Sequence, residues 1–136
     1  MGNNKKLEDI KDLKAEIGRS KLLLDISRKI ASIKNLSEIL WTIVEFVTKN
    51  VDADRGTLFL NDEETNELYS RVAQGDLTRE IRILNTVGIA GGIFQSQVGE
   101  IIHDVYSDER FNKDVDQETG YKTKNMICSP VRTVNG

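Results

Sequence analysis

The sequence predicts an α+β domain: an antiparallel sheet flanked by helices, preceded by a long N-terminal helix. Three observations predict it. Residues 5–33 carry apolar side chains at steps of three and four, which is a helical period. Residues 56–84 fall into three short runs of alternating character joined by polar turns, the pattern of an antiparallel meander. Beyond them, a glycine-rich corner and two further strand-like runs continue the same domain. The chain has 136 residues, 38% hydrophobic and 30% charged, enough to bury one core and to fit one domain with an appended helix. Its net charge of −3 gives no basic footprint, so nucleic acid is not an expected partner. The single cysteine, Cys128, excludes an internal disulfide and a cysteine-built zinc cluster, and fits a reducing compartment. No apolar run approaches the roughly 20 residues of a membrane span. The start, Asn3-Asn4-Lys5-Lys6, lacks the apolar core of a signal peptide. The expected location is cytoplasmic, with no membrane segment in this chain.

Residues 5–33 read as one helix. Leu7, Ile10, Leu13, Ile17 and Leu24 form an apolar seam, with Ser20 at the position between the last two. This spacing is that of a coiled coil, and it predicts a homodimer through the N-terminal helix. The other reading is an amphipathic helix folded back on its own core. Leu22, Leu23, Ile26, Ile30 and Ile33 then widen the stripe, as expected where the helix turns from a twin to its own domain. Residues 1–34 are therefore assigned to this helix and 35–136 to the domain. Asn35 is an N-cap with Glu38 three residues on. It opens a second helix over 36–50, with Leu36, Ile39, Leu40, Ile43, Val44, Phe46 and Val47 as its buried face, ended by Asp52-Ala53-Asp54.

Strands are expected over 56–61, 67–74 and 79–84, with polar turns at 62–66 and at Gly75-Asp76. Val87-Gly88-Ile89-Ala90-Gly91-Gly92-Ile93-Phe94 follows, a glycine turn leading into a short helix over 93–98. A glycine turn that opens a helix can seat a phosphate on unpartnered N–H groups. It can equally be a tight corner that binds nothing. A fourth strand is expected over 100–105, then a long polar segment, 106–124, holding a short helix. Segments of that length inside a compact domain are usually functional. A fifth strand is expected over 125–133. The closing Asn135-Gly136 is a hairpin signal with no returning strand, which predicts a longer domain.

Four stretches carry a family resemblance: 53–60 (Ala-Asp-Arg-Gly-Thr-Leu-Phe-Leu), 80–83 (Glu-Ile-Arg-Ile), 88–91 (Gly-Ile-Ala-Gly), and 110–126 with its Val-Asp-x-x-Thr-Gly-Tyr-x-Thr core. They resemble GAF domains, most closely the cyclic-nucleotide-binding GAF domains of cyanobacterial adenylate cyclases and mammalian phosphodiesterases. The resemblance covers about residues 36–136 and implies a GAF-like antiparallel sheet. The subfamily's downstream Asn-Lys … Phe … Asp-Glu signature and a sixth strand would lie beyond residue 136, so the domain is expected to be truncated before its last strand. If that strand lies inside the sheet, ladder groups here are left unpaired and the chain is expected to be poorly stable.

The resemblance implies a nucleotide enclosed between the sheet and two short helices. Matching positions are Arg55 and Thr57 on the first strand, Ala73 and Gln74 at the end of the second, Ile89 and Ala90 in the glycine turn, and Asn112, Asp116, Thr119 and Thr123 in the long segment. Backbone N–H groups at Ile89 and Ala90 suit a cyclic phosphate. Thr119 and Thr123 add hydroxyl donors. Arg55 suits phosphate neutralisation or stacking on the base. Ile89 and Val72 suit the two faces of a purine. Gln74 both donates and accepts, which favours an adenine edge and so cAMP over cGMP. Against each stands a local role: a strand-end charge for Arg55, turn caps for the threonines, an Asx-turn for Asp116.

Asp114, Asp116 and Glu118 have calcium-loop spacing, but Thr119 and Asn125 stand where glycine and glutamate are needed, so no metal is expected. His103, on an apolar strand, reads as a structural histidine, and Cys128 as core. No catalytic set is present: the one histidine has no evident Ser-acid partners, and no Lys-Ser/Thr follows the glycines. The expectation is a regulatory module, not an enzyme. It senses a cyclic nucleotide, needs no other cofactor, and relays binding through its end helices to an output domain. The parent would be an adenylate cyclase or a phosphodiesterase. The alternative is a ligand-free dimerisation and relay module of a signalling protein such as a sensor kinase.

Overall fold

The computed structural model describes residues 2–73 and 80–132. The chain divides into two compact units, 1–56 and 57–136.

The first unit is helical. Helix α1 spans Gly2–Ala31 and α2 spans Leu36–Asn50. Asn35 is extended (φ −102°, ψ 126°), and its Oδ1 accepts from the N–H groups of Ser37 (2.8 Å) and Glu38 (3.4 Å). It thereby fixes where α2 starts. Asp52, at φ 54°, reverses the chain after α2, and the Ala53 N–H returns to the Thr48 carbonyl at 2.9 Å. The buried face of α2 is narrower than expected. Thr42, Val44 and Thr48 are buried, whereas Leu36 and Val47 are exposed. Thr48 tolerates burial because its hydroxyl donates to the Val44 carbonyl at 2.7 Å. On α1, Ile26 and Ile30, with Ile33 just beyond, are half-buried, and Lys29 pairs with Glu45 of α2 at 3.9 Å. Leu22 and Leu23 stay exposed, so the widened stripe begins at Ile26.

The second unit holds two sheets that share no ladder bond among the described residues. Strands β1 (Thr57–Asp62), β2 (Glu67–Ala73) and β3 (Arg82–Leu84) form the expected antiparallel meander in the order β1-β2-β3. Asp62 Oδ1 closes the first turn on the Glu64 and Thr65 N–H groups, and Asn66 takes φ 57°. The β1–β2 register shifts between Leu58 and Phe59, so β1 loses the clean alternation its sequence suggests. β3 is shorter than expected. The pairing nevertheless continues to Ile81, whose N–H donates to the Ser70 hydroxyl while its carbonyl accepts from the Ser70 N–H, both at 2.8 Å. That exchange explains a buried serine at the centre of β2.

Helix α3 spans Gly88–Ser96. The expected helix began at Ile93; here the glycines are part of it, and the turn lies at 85–87. The second sheet pairs β4 (Glu100–Ile102) with β5 (Met126–Cys128) antiparallel, Glu100 opposite Cys128 and Ile102 opposite Met126. β4 stops at Ile102, so His103 is exposed at a bend and is not a core residue. β5 stops at Cys128 because Pro130, two residues on, has no N–H to continue a ladder. A short 3-10 turn (Val105–Ser107) and helix α4 (Asp114–Thr119) occupy the long polar segment. The core of this unit is Ile89 and Ile93 of α3, Ile102 of β4 and Val105, with Tyr106, Phe111, Met126 and Cys128 packed against them. Cys128 is thus a packing residue, and burial raises its thiol pKa. Fully burying Ile93 or Val105 is worth roughly 2 kcal/mol each.

Candidate functional site

The segment 106–124 is tied together at one carboxylate. Asp116 is 7% exposed on the inner side of α4. Its Oδ2 accepts from the Tyr106 hydroxyl (2.9 Å) and the Thr123 N–H (2.6 Å), and its Oδ1 accepts from the Thr123 hydroxyl (2.7 Å). A buried carboxylate is tolerated when donors surround it. The bond to Asp116 raises the Tyr106 pKa. The Tyr106 ring packs on Phe111 with centroids 5.4 Å apart, and Lys113 and Lys122 each place an ammonium over it, at 5.4 and 5.6 Å. One tyrosine therefore joins the core below it to the carboxylate of α4.

The other predicted residues of this segment serve turns. Asn112 is exposed and its Oδ1 accepts from the Asp114 N–H at 3.0 Å, at the entry to α4. The Thr119 hydroxyl donates to the Val115 carbonyl at 2.8 Å and accepts from the Tyr121 N–H at 3.4 Å, closing the end of α4 before Gly120 at φ 67°. These are the local roles weighed for Thr119. For Asp116 the Asx-turn gives way to a longer-range role, because its partners lie seven and ten residues away.

Helix α3 approaches this segment through its glycines. Gly88 has φ +74°, and a Cβ there would lie 3.5 Å from the Arg110 carbonyl. A Cβ on Gly92 would lie 3.3 Å from Arg110 Nη1. Val87 caps α3 with no side-chain bond, so its first amides have no side-chain partner at the cap. Ile89 is buried in the core, which leaves its side chain unavailable to a purine in this arrangement; only its backbone remains for the predicted role. Ala90 is half-buried beside it.

Arg110 is the residue that sequence reasoning passed over. It makes a two-pronged pair with Glu100 of β4 (Nη1–Oε1 3.2 Å, Nη2–Oε2 2.8 Å) and a second with Asp108 (Nε–Oδ1 3.0 Å, Nη2–Oδ2 2.7 Å). These bonds hold the Asp108 carboxyl down at about 2, hold Glu100 below the usual carboxylate range and push Arg110 above its ordinary value. The readable signal is the sequence 108–110, Asp-Glu-Arg, following Glu100 on a strand. Arg82 makes a parallel cluster on the meander, with Glu67 (3.1 Å), Glu80 (2.6 Å) and Asp62 (3.5 Å), its guanidinium 5.1 Å over the Tyr69 ring.

Of the remaining predicted positions, three fall within the described residues. Thr57 is exposed at the start of β1, opposite Ala73 at the end of β2. Arg55 is half-buried and belongs to the first unit. Gln74 lies outside the described residues.

Two kinds of comparison bear on this arrangement. The fold matches the GAF domain of a phosphoenolpyruvate-protein phosphotransferase from Coxiella burnetii with a TM-score of 0.74 at 19% identity, over 84% of this chain and 69% of that one. An A. Aeolicus nlh2 GAF domain in an inactive state matches with a TM-score of 0.69 at 16% identity, over 88% and 74%. The fold is thus that of the GAF class, an α+β architecture. The GAF domain family model matches residues 35–136, and the chain belongs to that family. In sequence, the chain is 38% identical over 125 residues to a probable 3',5'-cyclic phosphodiesterase of Caenorhabditis elegans, covering 82% of this chain and 17% of that protein. It is 28% identical over 137 residues to the dual 3',5'-cyclic-AMP and -GMP phosphodiesterase 11 of Drosophila melanogaster, covering 89% and 9%. The chain therefore spans less than a fifth of the length of these relatives. Among the described residues no helix is long and apolar enough to cross a membrane.

Proposed function

We propose that this GAF domain is a regulatory cyclic-nucleotide sensor of a larger phosphodiesterase. The ligand is held between the N-terminus of α3 and the segment 112–123, and binding is relayed through the end helices to an output domain. The observation that carries this reading is the Asp116–Thr123 pair. Both belong to the Val-Asp-x-x-Thr-Gly-Tyr-x-Thr core, Thr123 donating twice to the buried Asp116 carboxylate, and the segment follows Arg110, which lies against Gly88 and Gly92 of α3. The names of the relatives, all cyclic phosphodiesterases, support the ligand class and favour a phosphodiesterase parent over a cyclase.

In this arrangement the Thr123 N–H and hydroxyl both donate to the Asp116 carboxylate. A cyclic nucleotide that recruits Thr123, Asn112 and the α3 amides has to redistribute those bonds. That gives the ligand two arrangements to distinguish, as a switch requires. Gln74 favours cAMP, since its amide both donates to and accepts from an adenine edge. Titration calorimetry with cAMP and cGMP tests the reading. Heat and a raised melting temperature are expected with both, cAMP binding the tighter. Asn112→Ala should weaken binding about tenfold, the value of one good hydrogen bond. Gln74→Glu should reverse the nucleotide preference. Absence of heat and of a melting shift with either nucleotide rules the sensor out.

A second reading has its own support. The internal bonding of Thr123 to Asp116, together with the exposed seam of α1, suits a ligand-free module that dimerises and relays. In both readings α1 is the homodimer contact.

A further inference from the structure

We infer that Arg110 is a positioning residue for the proposed nucleotide site. Its two carboxylate pairs lock the entry of segment 112–123 onto the glycine face of α3, and they set the affinity of the site without Arg110 touching the ligand. This rests on the sensor reading above and adds the residue that holds that site in shape. Gly88 and Gly92 stand four residues apart, so they share one face of α3. Arg110 lies along that face. Its carbonyl oxygen is 3.5 Å from where a Gly88 Cβ would be, and its Nη1 is 3.3 Å from where a Gly92 Cβ would be. A methyl group at 92 would make the guanidinium give way by a few tenths of an ångström.

The guanidinium is held in that place from outside α3. Glu100 of β4 takes Nη1 and Nη2, and Asp108 takes Nε and Nη2. Asp108 Oδ1 also accepts the Arg110 N–H at 2.9 Å, and the Asp108 carbonyl accepts the Phe111 N–H at 3.0 Å. Backbone and side chain of Arg110 are thus fixed by one turn, tied to β4 and resting against α3. Phe111 then packs on the core, and Asn112, the first candidate ligand residue of the segment, comes next. The far end is tied by Thr123 to Asp116 and by the Lys124 carbonyl to the Val105 N–H at 3.1 Å. Arg110 is the near anchor. Charge alone does not make it one, because exposed ion pairs contribute little. Two planar forks on one guanidinium fix an orientation, which a lysine ammonium cannot do. Without that orientation the segment spends less time in the binding arrangement, and the apparent affinity falls by the same fraction. The competing role for Arg110 is direct contact with the cyclic phosphate. The two roles differ in sign at Glu100, which supports an anchor but competes with a phosphate for the guanidinium.

Titration calorimetry with cAMP and cGMP on the full chain tests this, with wild type, Arg110→Lys, Gly92→Ala and Glu100→Gln. Arg110→Lys exchanges one exposed cation for another. Gly92→Ala touches neither carboxylate and brings in the better helix former. The two variants therefore reach the same anchor by unrelated routes, and melting temperatures confirm that each is folded. Both should weaken cAMP and cGMP by the same factor, roughly tenfold, as when the binding arrangement falls to about a tenth of the molecules. Glu100→Gln should weaken both roughly threefold by the same argument. Wild-type affinity in Arg110→Lys and Gly92→Ala overturns the anchor and leaves the sensor reading standing. Tighter binding by Glu100→Gln, or a changed cAMP-to-cGMP ratio in Arg110→Lys, makes Arg110 a ligand contact and overturns the positioning role. A wild type that binds neither nucleotide overturns the sensor reading, and hydrogen exchange without nucleotide then decides the anchor by itself. Arg110→Lys should speed exchange over residues 112–123 and leave β2 unchanged; unchanged exchange over 112–123 overturns the anchor.

Discussion

Arg110 and Asp116 organise the second unit by different physics. Asp116 works by being enclosed, so its contribution depends on the donors that surround it, Tyr106 and Thr123 among them. Tyr106→Phe removes one donor from a buried carboxylate, and such a deletion costs about 1–2 kcal/mol. Arg110 works in a more exposed setting, where individual ion pairs contribute little, but both of its pairs are two-pronged and share one guanidinium. This arrangement has a pH signature. Asp108 is held down at about 2, below the ordinary carboxylate value of 3.8. A depressed folded-state pKa stabilises fully above the unfolded value and loses that stabilisation as pH falls through the folded one. Wild-type stability should therefore decline between about pH 4 and pH 2 with a contribution from Asp108. Urea midpoints measured from pH 6 to pH 2 check it: Asp108→Asn should start lower at pH 6 and fall less steeply. A variant curve parallel to the wild type would remove Asp108 from the account.

At the scale of elements, α3 shows where local and tertiary demands part. Gly88-Ile89-Ala90-Gly91-Gly92 is a poor helix by propensity, and its sequence predicts a turn. It is helical here, and α3 lies so close to the preceding turn that a Cβ on Gly91 would stand 2.9 Å from the Thr86 carbonyl carbon. The obstruction is backbone and cannot swing away, so Gly91→Ala should destabilise by about 1–3 kcal/mol. Gly18, in the middle of α1, is the control. Nothing lies within 4 Å of a Cβ there, and Gly18→Ala should raise helix stability by about 1 kcal/mol. Thermal melts of the two variants should move in opposite directions. The start of α2 and the first β-turn are readable because Asn35 and Asp62 act on backbone two and three residues away. The start of α3, the early end of β4 that exposes His103, and the shift in β1 depend on neighbours remote in sequence. The candidate site divides the same way. Its residue types were visible in the 110–126 motif, but the convergence of Tyr106 and Thr123 on Asp116 is a fact of folding.

On the scale of the molecule, the two units differ in how much apolar surface they bury. The second unit carries its own core around Ile93 and Val105 and needs no second copy to bury it. Most of α1 carries no such burial: residues 5–25 are exposed throughout, and an isolated helix of that length is marginal in water. If its seam is covered by a twin, the stability of α1 is set by mass action, while that of the second unit is not. Hydrogen exchange separates these cases. Diluting the protein through its dimer dissociation constant should speed amide exchange over residues 7–24, and the amides of β2 and α3 should keep their rates. Adding cyclic nucleotide should slow exchange over 112–123 at any protein concentration, since ligand and twin act on different segments. Loss of protection spread evenly over both units on dilution would mean that the dimer is held elsewhere. Unchanged exchange over 7–24 would mean that the α1 seam is not the surface that dilution uncovers.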